Sequence, residues 1–502
     1  MTRGLRLIRL TVGAAVCFCM AVFSTAPFDG AGARGKMVRL AGLNISADPK
    51  PRTARDFFGR GEMDFDAGRL DNAIAHFNKA IRLDPEHVDA VFLRAMAHHK
   101  KDFLAKALTG YDRTISLRPD FPDAYHNRGA VHHRMQSYNQ ALSDYDKAIE
   151  LAPAMINAYY SRGNLHYDMA DYDRAIVDLS TVTRLNPQDA AALLGRGLCY
   201  HQKGLYDLAI ADYTAALSLD PILQGTFTNR GFAFGKRGDY DLAIADFVRA
   251  IALDPKNVDA YVGRGNAYAL TQNPKNALND YNKAISLKPD YLDAFISRGD
   301  LFSGQGKLNR ALKDFSTAAR IDPADPLPLL KRANVLYDKG SYSSAISDYT
   351  KALELRPDYI EAYVNRSIAY YQRHKYKAAV ADLDKAIALG SENATSYSLR
   401  GYVYLDSDRT EQAIADFESA VKLAPDDATM RYSLGEAFFY AGKRDQAMTQ
   451  WQTACKLAPT SLVRRWQKAL ARMGHYRGSV DGICGNGTIG AFRSCARAKC
   501  LL

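Results

Sequence analysis

Four sets of residues in this 502-residue chain carry groups able to do chemistry. The densest lies near the end, where residues 474–488 read GHYRGSVDGICGNGT, unlike anything in the chain before them. An aromatic (Tyr476), a cation (Arg477), a carboxylate (Asp481) and a hydroxyl (Thr488) stand close together there, with Trp466 shortly upstream, so a specific ligand is to be sought at this end. A second set is periodic: an arginine every 34 residues from Arg60 to Arg400, followed 16 residues later by an aspartate in the nine middle repeats, from Asp144 to Asp416. Arg128 with Asp144, Arg230 with Asp246 and Arg264 with Asp280 are examples. The final repeat has neither, reading Leu434 and Gln450. Joint loss predicts that the partners share one helical hairpin, because a buried charge left alone is costly. The first two repeats, with His76 and Gly110 at the acid position, depart from this. The set reads as an internal ion-pair ladder rather than a row of arginines offered to an anion.

The third set is histidine, with nine of eleven in the first five repeats; His98, His132 and His166 fall in one register, and His99, His133 and His201 in another. Neither the Cys/His spacing of a closed zinc site nor an HExxH pair accompanies them. They are read as lining a core or groove, and no metal or other cofactor is expected. The fourth set is cysteine. Cys17 and Cys19 lie near the start, while Cys455, Cys484, Cys495 and Cys500 gather at the end. In an oxidising compartment that clustering favours two bridges, for which three pairings are open; Cys199 is left as the free thiol. The chain has no GxxxxGK[ST], no GxSxG and no paired carboxylates outside the ladder, so it does not read as an enzyme.

These groups must be positioned by something, and charge narrows what it is. Residues 1–53 carry eight Lys/Arg against two Asp/Glu and residues 460–502 eight against one, so of a net +11 the long middle keeps about −2. A body that held phosphate backbones would carry a basic stripe, so nucleic acid is excluded as its partner. The basic start has its own explanation. Arg3, Arg6 and Arg9 precede an apolar run from about Leu10 to Phe23 and small residues at 24–26, the order of a secretory signal. Residues 1–33 are therefore read as a signal peptide or an uncleaved N-terminal anchor, with 34–53 a linker. The protein is expected to be exported, periplasmic or envelope-located, with no other membrane segment.

Between these ends proline recurs on the same 34-residue grid, from Pro85 to Pro459, with Ser391 at the one empty node; alanine fills all twelve nodes from Ala73 to Ala447. Within a unit such as residues 122–153, two apolar patterns of helical spacing flank a short polar turn. Small residues such as Gly129 and Ala141 allow the two axes to approach, and the proline ends the second helix. The small, small, aromatic, proline pattern resembles the tetratricopeptide repeat over residues 54–461. The resemblance implies an all-α, right-handed superhelical solenoid of about twelve helical hairpins, whose inner groove is lined by first helices and binds segments of other proteins.

Residues 462–502 form a separate small helical module. Trp466, Gln467, Leu470, Gly474, Tyr476, Gly478, Asp481, Gly482, Gly485, Thr488, Ala491 and Phe492 resemble the core pattern of the peptidoglycan-binding-like domain. The resemblance implies peptidoglycan as a ligand, met by Trp466, Tyr476, Arg477, Asp481 and Thr488, with Asp481 expected to shape the turn more than to touch the ligand. Two expectations stay open: a protein-binding scaffold that docks on the wall through this segment, or a protein-binding adaptor whose segment only caps the array.

Overall fold

The computed structural model describes residues 52–391 and 393–497. They form 26 α-helices and, among these residues, no strand. The first 24 helices follow one another as twelve helix–turn–helix repeats, and two more follow, Thr460–Arg472 and Asn486–Arg497. The chain divides inside the helix Pro274–Leu287 into two compact units, one holding the described residues 52–277 and the other 278–497. No helix among the described residues is long and apolar enough to cross a membrane. The expected signal or anchor, nearly all of the linker and Cys500 lie outside the described residues.

The third hairpin shows how the sequence builds the unit. Its first helix, Pro122–Arg134, opens on Pro122, whose missing N–H is one that a first helical turn leaves unpaired anyway. Its second helix, Tyr138–Leu151, stops at Ala152, which leaves the helical region (φ −138°, ψ 82°) because Pro153 follows it. Where the grid lacks its proline, glycine takes over. The helix Tyr376–Ala388 ends with Gly390 in the left-handed region (φ 100°), and the Ser391 N–H reaches back 3.0 Å to the Ala386 carbonyl.

The small node on most first helices makes room for a ring rather than for the alanine node; on Gly163 it makes room for Leu179. A Cβ on Gly129 would lie 2.9 Å from the Tyr145 ring, and one on Gly197 2.6 Å from that of Tyr213. These rings, with Phe247, Phe315, Tyr349 and Phe417, are fully enclosed, and each such burial contributes roughly 1.5–3 kcal/mol. Alanine at Ala141 and its equivalents is also fully buried, which keeps the second helix close.

Polar groups tie each hairpin together and to its predecessor. In eight hairpins the arginine of the first helix donates through Nε and Nη2 to both oxygens of the aspartate 16 residues on, at 2.6–2.9 Å. The same guanidinium then donates through Nη1 to the residue 16 positions earlier, on the second helix of the preceding hairpin. These acceptors are Asp112 for Arg128 (2.7 Å), Thr214 for Arg230 (3.0 Å), Asn282 for Arg298 (2.6 Å) and Asp384 for Arg400 (2.6 Å). The aspartates are buried, and the bidentate bond holds the guanidinium charge above its ordinary range in Arg128, Arg162 and Arg400. Arg94, whose acid position is Gly110, is instead pushed down by burial; it donates back to Asn78 at 2.9 Å. In the first hairpin the acid has changed helix. Asp64 on the first helix is buried and receives Arg69 (2.7 Å) and His76 (2.9 Å), which sits where the aspartate would stand.

A double-mutant cycle tests the pair. Arg230→Met and Asp246→Leu are each expected to cost about 3 kcal/mol, since each strands a buried charge, and the double variant is expected to cost less than their sum by at least about 1 kcal/mol. Additive losses in denaturant unfolding would contradict the pairing.

Candidate functional site

Within each unit, successive first helices touch one another as well as the second helices that flank them, so their exposed sides form a continuous face. Polar and aromatic side chains bridge the helices of this face. In residues 52–277, His126 Nε2 lies 3.0 Å from Ser161 Oγ, His133 Nε2 2.8 Å from Asp168 Oδ2, and Gln202 donates to the Tyr167 hydroxyl at 3.3 Å. In residues 278–497, Lys331 Nζ donates to Asp300 (3.1 Å), Asn365 to Asn334 (3.1 Å), Tyr371 to Asp406, and Tyr402 is bonded to Ser433. Burial raises the Asp300 and Glu361 carboxyls above their ordinary range, with Lys331 opposing the rise in both. The face therefore offers cations, carboxylates, amides and phenols on a rigid backing, a set suited to the mixed donors and acceptors of a peptide.

The ladder residues lie beneath this face. Arg128 and Arg230 pair with Asp144 and Asp246 and stack over Tyr125 (5.6 Å) and over Phe227 (5.5 Å) and Phe234 (5.8 Å). Arg264 lies over Tyr261 at 5.6 Å, and Asp280 is buried in the other unit. The two histidine registers are packed rather than clustered. Burial lowers His99, His126 and His201 to about 4, and leaves Nδ1 of His98, His166 and His201 without a hydrogen-bond partner. Cys199 is a free, buried thiol pushed up to about 12 by desolvation.

At the C-terminal end, an aromatic cluster replaces the ladder. Leu434 is buried where an arginine would stand, and Gln450 accepts from Arg431 at 3.4 Å. Tyr432 stacks on Trp466 (5.1 Å, 21°), and Phe492 of the terminal helix stacks on Trp451 (5.9 Å, 24°). Cys455 of the twelfth hairpin is bonded to Cys484; Cys495 is buried and also disulfide-bonded.

The glycine-rich stretch is organised by a residue that the sequence reading left off its ligand set. Gln467 is fully buried. Its Nε2 lies 2.8 Å from Asp481 Oδ1, 3.0 Å from Thr488 Oγ1, 3.1 Å from the Ile483 carbonyl and 3.2 Å from the Tyr476 hydroxyl, sharing two hydrogens among four oxygens. Its Oε1 accepts from the Gly482 N–H at 2.8 Å. Gly482 is left-handed (φ 81°), and a Cβ there would meet the Thr460 carbonyl at 2.6 Å. Asp481 accepts from the Ile483 N–H at 2.9 Å, a bond that keeps its carboxyl below the usual range and closes the turn. Of the five expected ligand contacts, Trp466 and Thr488 are buried, Tyr476 and Asp481 are engaged by the stretch's own hydrogen bonds, and Arg477 is exposed. The sequence signal for Gln467 was its place beside Trp466 in the family pattern.

The histidines give residues 52–277 a pH dependence. A histidine near 4 in the fold and about 6.5 unfolded contributes stability that is complete above about pH 6.5 and is lost as pH falls toward 4. The urea midpoint of this unit is expected to fall between about pH 7 and pH 5, and the slope to flatten in His126→Gln/His201→Gln. A midpoint independent of pH in the unchanged protein would contradict this.

Comparison with known proteins places the repeats. Three models described as tetratricopeptide or TPR repeats match residues 160–221 and 398–461; 61–102, 231–272, 333–373 and 368–408; and 122–155 and 258–291. These matches end at residue 461. Among solved structures, yeast Tom70 is 18% identical (TM-score 0.43) over 79% of this chain and 96% of its own. A tetratricopeptide repeat protein from Parabacteroides merdae is 22% identical (TM-score 0.39) over 50% and 99%. YrrB, a TPR protein with an unusual peptide-binding site, is 24% identical (TM-score 0.34) over 38% and 97%. No curated protein matches the chain. The grid, the hairpins and the matched models agree that the chain is built of tetratricopeptide repeats.

Proposed function

We propose that this protein is an exported envelope scaffold that holds segments of other proteins on the first-helix faces of its repeats, and that residues 462–497 close the end of the array. The observation that carries the binding role is the continuous first-helix face, where Lys331, Asp300, Asn334 and Asn365 line up across successive hairpins. The observation that carries the cap is the burial of Trp466 and Phe492 against Tyr432 and Trp451. Export rests on the charged, apolar and small-residue order of residues 1–26.

A second reading, docking on peptidoglycan, is favoured by the +7 of residues 460–502 and by the exposed Arg477. The inward bonds of Tyr476, Asp481 and Thr488 oppose it, because a polymer would have to compete with Gln467 for them. Retention on purified sacculi in moderate salt is its test.

For the scaffold reading, Lys331→Ala is expected to weaken binding of a partner polypeptide identified by cross-linking at least tenfold, with helix content unchanged by circular dichroism. Undiminished binding by this variant would move the site off the first-helix face of residues 278–497.

A further inference from the structure

We propose that the C-terminal module is a docking surface for an anionic lipid bilayer. The helix Thr460–Arg472 buries Val463, Trp466, Gln467 and Leu470. Its outer side carries Arg464, Arg465, Lys468 and Arg472, all exposed. At about 100° per residue these four cations occupy about 100° of the helix circumference, a single basic stripe. Among the described residues no carboxylate lies within ion-pair distance of any of them. Arg464 makes one bond, from Nε to the Asp481 backbone carbonyl at 3.1 Å, which leaves its charge uncompensated.

That bond also fixes what lies beside the stripe. Residues 479–483 run against Thr460 and Arg464, where Gly482 is in close contact with both. From this segment Ile483 stands 65% exposed and Val480 37% exposed. Their exposure is built in rather than incidental. Gln467 grips the Gly482 N–H and approaches the Ile483 carbonyl, Asp481 holds the Ile483 N–H, and the next residue, Cys484, is bridged to Cys455. The backbone is thus held from inside while two aliphatic side chains face water. The carboxylate of Asp481, between them in sequence, has its Oδ1 turned inward to Gln467.

A rigid loop that presents aliphatic side chains beside a row of cations matches a membrane interface. The side chains enter the boundary of the acyl region while the cations meet lipid phosphates, and each is near the surface where it contributes most. A soluble polyanion or a wall polymer would satisfy the cations and leave Ile483 in water. The aliphatic tip therefore decides for lipid. Cations near an anionic surface contribute roughly fivefold each in partitioning, and burying an isoleucine side chain about tenfold or more.

The test is co-sedimentation of the oxidised chain from residue 34 onward with phosphatidylcholine vesicles, with the same vesicles containing phosphatidylglycerol, and with purified sacculi. Binding is expected to the phosphatidylglycerol vesicles above the other two. Ile483→Ser is expected to weaken it about tenfold, Arg465→Gln/Lys468→Gln about 25-fold, and Arg465→Lys to leave it intact. All three variants alter exposed side chains, and circular dichroism checks that the helices remain. The proposal is overturned by absence of binding to anionic vesicles, by sacculi retaining the chain better than vesicles do, or by binding that ignores Ile483→Ser, which would reduce the surface to a charge patch.

Discussion

A guanidinium that is mostly shielded from water needs acceptors around it, and the array depends on where this one finds them. In eight hairpins the ladder arginine gives two bonds to the aspartate of its own hairpin and a third to the second helix of the hairpin before it, as Arg230 does to Asp246 and Thr214. The first two fix the crossing of the two helices. The third fixes the spacing to the neighbour, so one side chain sets both the internal geometry of a unit and its stacking. The enclosed rings supply apolar contact but no direction; the ladder supplies direction. Within each unit, stacking each hairpin on the last in the same way keeps the first helices adjacent, and that adjacency makes the continuous first-helix face.

The ends have to solve the same problem differently. In the first hairpin the acid moves to Asp64, which is met by Arg69 and His76, and this preserves a satisfied buried carboxylate. In the last hairpin both charges vanish together, and Leu434, Trp451 and Tyr432 form an apolar end that needs covering. Trp466 and Phe492 cover it, and Cys455–Cys484 anchors the cover. The outer side of that cover is then free to carry the basic stripe and aliphatic tip.

Much of this was legible in the sequence because repetition averages out local noise. The proline grid placed the hairpins, and the single gap at Ser391 is filled by a different helix stop, Gly390. The joint absence of arginine and aspartate from the last repeat pointed to a shared hairpin. The third arginine bond was not legible, since its acceptors are Asp112, Ser180, Thr214, Asn282 and Ser316 in different repeats. These share an oxygen, not an identity, and a grid of residue names does not register that. The orientation of the glycine-rich stretch was not legible either. Tyr476, Asp481 and Thr488 have the types of ligand contacts, and composition cannot say whether such groups face a ligand or a buried amide such as Gln467. Only the fold supplies that amide.

The central claim is that the last hairpin, lacking the shared arginine, depends on the C-terminal module as the others depend on their neighbours. Hydrogen exchange measured peptide by peptide on the oxidised chain, and on one ending at Ser461, tests it directly. The account predicts that truncation removes protection from residues 428–457 while residues 292–387 keep theirs. Full protection of residues 428–457 without the module would contradict it.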